Sequence, residues 1–192
     1  YPCLMAALDS VSPKYTTVAI LADKEETGSD GNTGMNSAFL RHFIGYLADM
    51  QGGCAALALE NSKCLSADVN AAFDPTFPDV MEKRNACMLN YGAVITKYTG
   101  ARGKGGTSDA SAEFVAWIRN ILDKNNVVWQ TGELGKVDQG GGGTVAQYMA
   151  NRNIDTIDAG TPVFSMHAPF ETVTKFDCYQ TYKAMWAFYK DR

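Results

Sequence analysis

Apolar and polar positions along the chain alternate between two periods. Thr16–Ala22 (TTVAILA) is a short, β-branched, apolar run, the pattern of a strand buried on both faces. After a turn region at Gly28–Gly34, residues Met35–Met50 carry Phe39, Phe43, Ile44 and Leu47 at helical spacing, and Gly52-Gly53 ends them. Lys63–Ala67 and Ala93–Tyr98 read as strands separated by a loop that holds Pro75 and Pro78. Ser108-Asp109 is an N-cap candidate for a helix over Ala110–Lys124, with Phe114, Trp117, Ile118 and Ile121 on one face. Val127–Thr131 predicts a strand. The run Gly140–Gly143 leads into a short helix over Thr144–Asn151. Strands at Asp155–Ala159 and Val163–Met166 follow, and an amphipathic helix over Thr174–Lys190 ends the pattern.

Strands interleaved with helices imply an α/β fold, a three-layer α/β/α sandwich around a mixed sheet. No repeat or low-complexity linker divides residues 1–192, which read as one domain or most of one. The chain opens on Tyr1 and goes straight into apolar sequence, so the fold is expected to be incomplete at its N-terminus.

Composition narrows the picture. At 192 residues and 46% hydrophobic, the chain can bury a core, and a net charge of −4 without a basic run argues against nucleic acid or anionic lipid as partners. No apolar stretch reaches the roughly 20 residues that span a bilayer, so no membrane partner is expected. The five cysteines (Cys3, Cys54, Cys64, Cys87, Cys178) are odd in number and widely spaced in apolar surroundings. Reduced core thiols, and hence a cytoplasmic setting, fit that spacing better than a disulfide framework or a cysteine zinc site.

Three strand ends carry candidate ligands. Asp23-Lys24-Glu25-Glu26-Thr27-Gly28-Ser29 delivers two adjacent carboxylates into a glycine turn, an arrangement that needs solvent or a cation to offset like-charge repulsion. Asp68 ends a second run, and His167, in Ser165-Met166-His167, ends a third. Imidazole and carboxylate oxygens are both ligands for a divalent metal, and functional groups of α/β sheets gather at strand ends. Taken singly, each residue allows a plainer reading: an exposed acidic turn, a turn-forming aspartate, a hydrogen-bonded structural histidine. His42, within the helical pattern beside Arg41, reads as a surface or packing residue. The glycine run matches neither a phosphate loop nor a dinucleotide fingerprint and reads as a close-packed turn. Arg102-Gly-Lys104 is a mildly basic loop, and no Gly-x-Ser-x-Gly elbow supports a serine hydrolase.

In order, these segments resemble the aspartyl aminopeptidase (aminopeptidase I) family of zinc metalloaminopeptidases. The likeness rests on Asp23-Lys-Glu-Glu-Thr-Gly-Ser29, Ser66-Ala-Asp68, Gly92-Ala-Val-Ile-Thr-Lys97, Gly141-Gly-Gly-Thr-Val145 and Ser165-Met-His167, and it covers essentially the whole chain. It implies a metal-dependent aminopeptidase of peptides with two divalent ions, zinc being the expected metal. It gives Glu25 the role of general base, Glu26 and His167 one metal, and Asp68 the other. Lys97 and Arg102 become candidates for meeting a substrate carboxylate. The family forms large homo-oligomers. Its further histidine and its bridging aspartate, in an Asp-Asp-Arg segment, come earlier than any residue here, so the chain would supply three of five ligands and is expected to be inactive alone. Where the family often carries histidines after Ser-x-Asp, Ala71 and Asp74 stand. Two rival expectations share these residues: a non-catalytic assembly or peptide-binding module of the same fold, and a two-metal amide deacylase.

Overall fold

A computed structural model describes residues 1–102, 105–106 and 108–190. Lys104, part of the basic loop noted above, lies outside the described residues.

The apolar runs build a four-stranded sheet in the order β1 (Lys63–Ser66), β5 (Asp155–Gly160), β3 (Ala93–Thr96), β4 (Trp129–Thr131). β1 is parallel to β5, β3 is antiparallel to β5 and parallel to β4, so the sheet is mixed. A second, two-stranded parallel sheet pairs β2 (Asn70–Ala71) with β6 (Pro162–Val163). Alternation sorts the side chains by face. Ala93 and Ile95 of β3 and Ile157 and Ala159 of β5 join Phe114, Ile118, Ile121 and Leu122 of α4 (Ala112–Lys124) in the main core. Ala6 of α1 (Pro2–Leu8) and Ala184, Met185 and Phe188 of α6 (Lys175–Lys190) complete it. On the opposite face, α2 (Phe39–Asp49), α3 (Ala55–Glu60) and α5 (Ala146–Ala150) share a smaller core of Met35, Leu40, Leu59, Met149 and Ile154. Helices cover both faces, which is the three-layer arrangement expected from the pattern.

The departures have local causes. Residues 16–22 form no strand, although their pattern is strand-like: they pair with no neighbour among the described residues, and Ile20 and Leu21 are exposed. An apolar run becomes a strand only where a ladder satisfies its backbone. The cap of α4 is Ser111, whose hydroxyl accepts the Phe114 N–H at 3.2 Å, and not Ser108-Asp109. Asp109 instead pairs with Lys97. α3 escaped the sequence reading because AALALE, bounded by Gly53 and Asn61, is too short to show a period. The thiols are free, yet only Cys87 is buried and Cys54 is exposed. Cys87 donates to Asn70 Oδ1 at 3.4 Å, and burial pushes its thiol pKa up to about 12, which makes it inert.

Candidate metal centre

Three loops deliver the four candidate side chains, and each is held by its own backbone chemistry. Lys24 takes a left-handed conformation (φ 63°) and Glu25–Thr27 coil into one tight 3-10 turn, closed by Gly28 at φ 90°. Ser29, fully buried, accepts the Asn36 N–H at 3.0 Å, and a Cβ on Gly34 would meet Ser29 O at 2.1 Å, so only glycine allows this closure. The loop is fastened to the α5 segment: Tyr148 OH donates to Gly28 O at 3.3 Å, and Arg152 Nη2 donates to Met35 O and Ser37 O at 2.6 and 3.1 Å. Glu25 and Glu26 thereby stand beside the sheet without belonging to it.

Asp68 lies two residues past the end of β1. Its Oδ1 accepts the Val69 N–H at 2.8 Å, and Asn70 N donates to Thr161 O at 3.0 Å, which leads the chain into β2. Gly160 makes room for this bend, because a Cβ there would fall 1.4 Å from Asp68 O. His167 sits in the loop between Phe164 and Thr172, whose backbones exchange two hydrogen bonds of 2.9 and 3.1 Å. Both Ser165 and His167 adopt positive φ (57° and 67°), and the Glu171 carboxylate accepts the His167 N–H at 2.6 Å. Two non-glycine residues of this kind, one on either side of Met166, cost on the order of 1 kcal/mol each.

These loops bring Glu25, Glu26, Asp68 and His167 into one neighbourhood. His167 Nε2 stands 3.5 Å from Glu26 Oε1. Partial burial raises the Glu25 pKa, Asp68 and Glu26 raise it further, and His167 opposes them. Asp68 is raised mainly by burial and then by Glu26, against the Val69 N–H and His167. Three carboxylates and one imidazole thus crowd a space in which, among the described residues, no lysine ammonium or arginine guanidinium acts on Glu25 or Asp68. A cation would relieve that crowding. The adjoining Glu26–His167 pair has the oxygen and nitrogen donors that zinc takes, whereas a catalytic zinc needs three protein ligands. Among the described residues no three histidine, cysteine, aspartate or glutamate side chains converge enough to hold an ion by themselves. The pair fits in donor type and falls short in number.

Lys97 and Arg102 are not brought to this cluster. Lys97 pairs with Asp109, and Arg102 is an exposed turn residue whose backbone N–H donates to Gly140 O at 2.8 Å. That bond, with Gly100 N to Gly142 O at 2.9 Å, zips the glycine run against residues 100–102. A Cβ on Gly141 would lie 2.2 Å from Gly100 O, so the run is a packing device.

Two carboxylates that the sequence reading passed over lie nearby. Asp158, 7% exposed, occupies β5 opposite Ser66 of β1 and Thr96 of β3. Its Oδ2 accepts Thr144 Oγ1–H at 3.1 Å. Ser66 Oγ and Asp158 Oδ1 both lack a well-formed partner, although the nearby Ser66 hydroxyl lowers the carboxyl's pKa. Burial outweighs the two hydroxyls and lifts that pKa to about 6, with Asp68 adding to the rise. Glu133, two residues past β4, is lifted to about 7, chiefly by burial. The available signal was a single acid at the centre of an otherwise buried strand, Asp155–Gly160.

A profile of the aminopeptidase I zinc metalloprotease (M18) family matches residues 3–189. A probable M18 family aminopeptidase 1 of Clostridium acetobutylicum is 48% identical over 192 residues, 98% of this chain and 41% of the relative. Its counterpart in Thermotoga maritima is 46% identical over 185 residues, 94% of this chain and 41% of the relative. The crystal structure of aminopeptidase I from C. acetobutylicum superposes with a TM-score of 0.92, covering 99% of this chain and 41% of that one. The M18 aminopeptidase structure from T. maritima gives 0.93 at 43% identity, covering 100% and 44%. The chain therefore spans less than half the length of these relatives. With a family profile matched almost end to end and the fold reproduced at such scores, the chain belongs to the aminopeptidase I (M18) zinc metalloprotease family.

Proposed function

We propose that the chain carries the general base and part of the metal-binding shell of a metal-dependent aminopeptidase that removes N-terminal residues from peptides. The observation that carries this reading is the meeting of Glu26 and His167, from opposite ends of the chain, at 3.5 Å beside Glu25 and Asp68. Glu26 and His167 would hold one divalent ion and Asp68 a second, zinc being the expected metal, with the remaining ligands coming from outside this chain. Ions bound there would polarise the scissile carbonyl and stabilise the negative charge that develops on it.

Glu25 is the proton carrier. Its carboxylate is more basic than an ordinary glutamate's because burial and two neighbouring acids disfavour its charge. It can therefore take a proton from the attacking water and return it to the leaving nitrogen. Glu171 fixes the loop backbone at His167, and Gly160 lets Asp68 sit close to the sheet. In the whole protein the unit is a homo-oligomer.

Cobalt titration of this chain, followed by visible absorption, tests the reading. Binding is expected in the unaltered chain, is lost in Glu26→Ala and His167→Ala, and persists in Glu25→Gln. Aminoacyl-nitroanilide hydrolysis by the isolated chain should be negligible, because its ligand set is incomplete. Turnover near the 1–1,000 per second of typical enzymes would overturn the partial-shell argument. Absence of cobalt binding, with an unchanged melting temperature on adding metal, would favour a non-catalytic module.

A further inference from the structure

The geometry points to a second feature of the same region: the cavity between residues 98–100 and 133–142 receives a basic side chain of the peptide, with Glu133 as its anionic partner. This inference rests on the peptide-processing reading above and names the class of substrate.

The cavity has a volume of about 160 Å³ and is lined by Asn85, Tyr98, Gly100, Glu133, Asp138 and Gly141, among others. Pockets for whole small molecules run to about 300 Å³ and more, so a space of this size suits one side chain. Its walls are the zipped glycine loops, where backbone replaces side chains and leaves the interior open to an inserted stem. The lining carries two acids, Glu133 and Asp138, against one base, Lys136.

Glu133 is well placed to meet a cation. Its carboxylate accepts the Tyr98 N–H, and it is partly buried. No described lysine, arginine or histidine stands within ion-pairing distance of it. Lys97 is near enough to be felt, yet its ammonium is engaged by Asp109. Asp158 and Asp109 add negative field. A half-buried carboxylate in such a setting gains most from an incoming ammonium or guanidinium.

Charge links the cavity wall to the candidate metal centre. Glu133 senses Asp158, and Asp158 senses Asp68. Thr144, which follows the glycine wall, anchors that wall to Asp158. The chemistry is the reverse of what a free Lys97 would have offered, namely selection of an acidic residue.

The test uses the full 192-residue chain, metal-free, with L-lysinamide, L-norleucinamide and L-glutamic acid amide as probes. Norleucinamide keeps the aliphatic stem and lacks the side-chain ammonium. Calorimetry should show lysinamide binding about tenfold or more tighter than norleucinamide, and the amide resonances of Tyr98 and Gly100 should shift on its addition. Glu133→Gln keeps an acceptor for the Tyr98 N–H, and it should abolish the preference while leaving the melting temperature within a few degrees. Equal binding of the two amides, binding of neither, a preference for glutamic acid amide, or a preference that survives in Glu133→Gln would each overturn the inference. The comparison in the unaltered chain decides the matter even where the variant misfolds. Cobalt binding at Glu26 and His167 is measured separately, so a failed cavity and a failed metal centre give different results.

Discussion

Asp158 stands in the middle of β5 with one oxygen bonded to Thr144 and the other unpartnered, opposite an equally unpartnered Ser66 hydroxyl. An ionised carboxylate in this position gives up hydration without recovering it in full. Its pKa rises from 3.8 to about 6, so the native state holds a proton through a window where the unfolded chain has lost it. Stability from this residue is therefore greatest below about pH 4, falls across the window, and is lowest above about pH 6. Asp158→Asn keeps an acceptor for Thr144 and adds a donor for Ser66. Metal-free, the variant should exceed the parent in stability at pH 8 by up to about 3 kcal/mol and converge with it near pH 4. Urea unfolding at the two pH values measures this. A variant less stable than the parent at pH 8 would show that the charged form is the one the fold wants. The sequence made the four named candidates legible because acids and a histidine at strand ends are conspicuous. It hid Asp158 because a polar residue inside a strand is judged by what faces it, and Thr144 and Ser66 come from other elements.

At the level of elements, α6 shows why pattern alone under-describes a helix. Its second half buries Ala184, Met185, Ala187 and Phe188 as an amphipathic reading requires, while its first half buries Asp177, Gln180 and Thr181. Asp177, wholly buried, accepts the Asn90 and Gly92 N–H groups, each at 2.7 Å, and Gln180 Oε1 accepts the Val128 N–H at 2.9 Å. These polar residues satisfy the backbone at the starts of β3 and β4, where the ladder cannot. Asp177→Asn leaves one carbonyl oxygen for two donors and turns an amide N–H₂ toward the other. The expected loss is on the order of 2–4 kcal/mol in denaturant unfolding, with little change in metal binding. A loss below about 0.5 kcal/mol would mean that solvent or a rearranged loop takes over these bonds. β3 and β5 were readable from runs that hold the β-branched residues Val94, Ile95, Thr156 and Ile157. Residues 16–22 have the same pattern and no ladder, because strand formation is decided by a neighbour that the pattern does not contain.

Over the whole molecule, the two faces of the sheet are unequally finished. The α1, α4 and α6 side is a continuous core, whereas α2 buries only Leu40 and leaves Phe39, Phe43, Tyr46 and Met50 exposed along one side. Leu57 of α3, which packs beside α2, is exposed as well, and so are Ile20 and Leu21 of the unpaired run. Relatives more than twice as long share this region, and contiguous apolar area of this kind marks a contact surface on a folded protein. In isolation the surface should drive reversible association. Sedimentation velocity of the chain should give a coefficient that rises with protein concentration and with added sulfate, which strengthens apolar contacts. The double substitution Phe39→Lys with Tyr46→Lys introduces two charges on the exposed side of α2, away from Leu40, and should leave the melting temperature nearly unchanged while reducing the association by about tenfold or more. A concentration-independent monomer before substitution would show that these side chains are tolerated singly by water. Unaltered association in the double variant would instead place the contact elsewhere, with the unpaired run at Ile20 and Leu21 the next surface to charge.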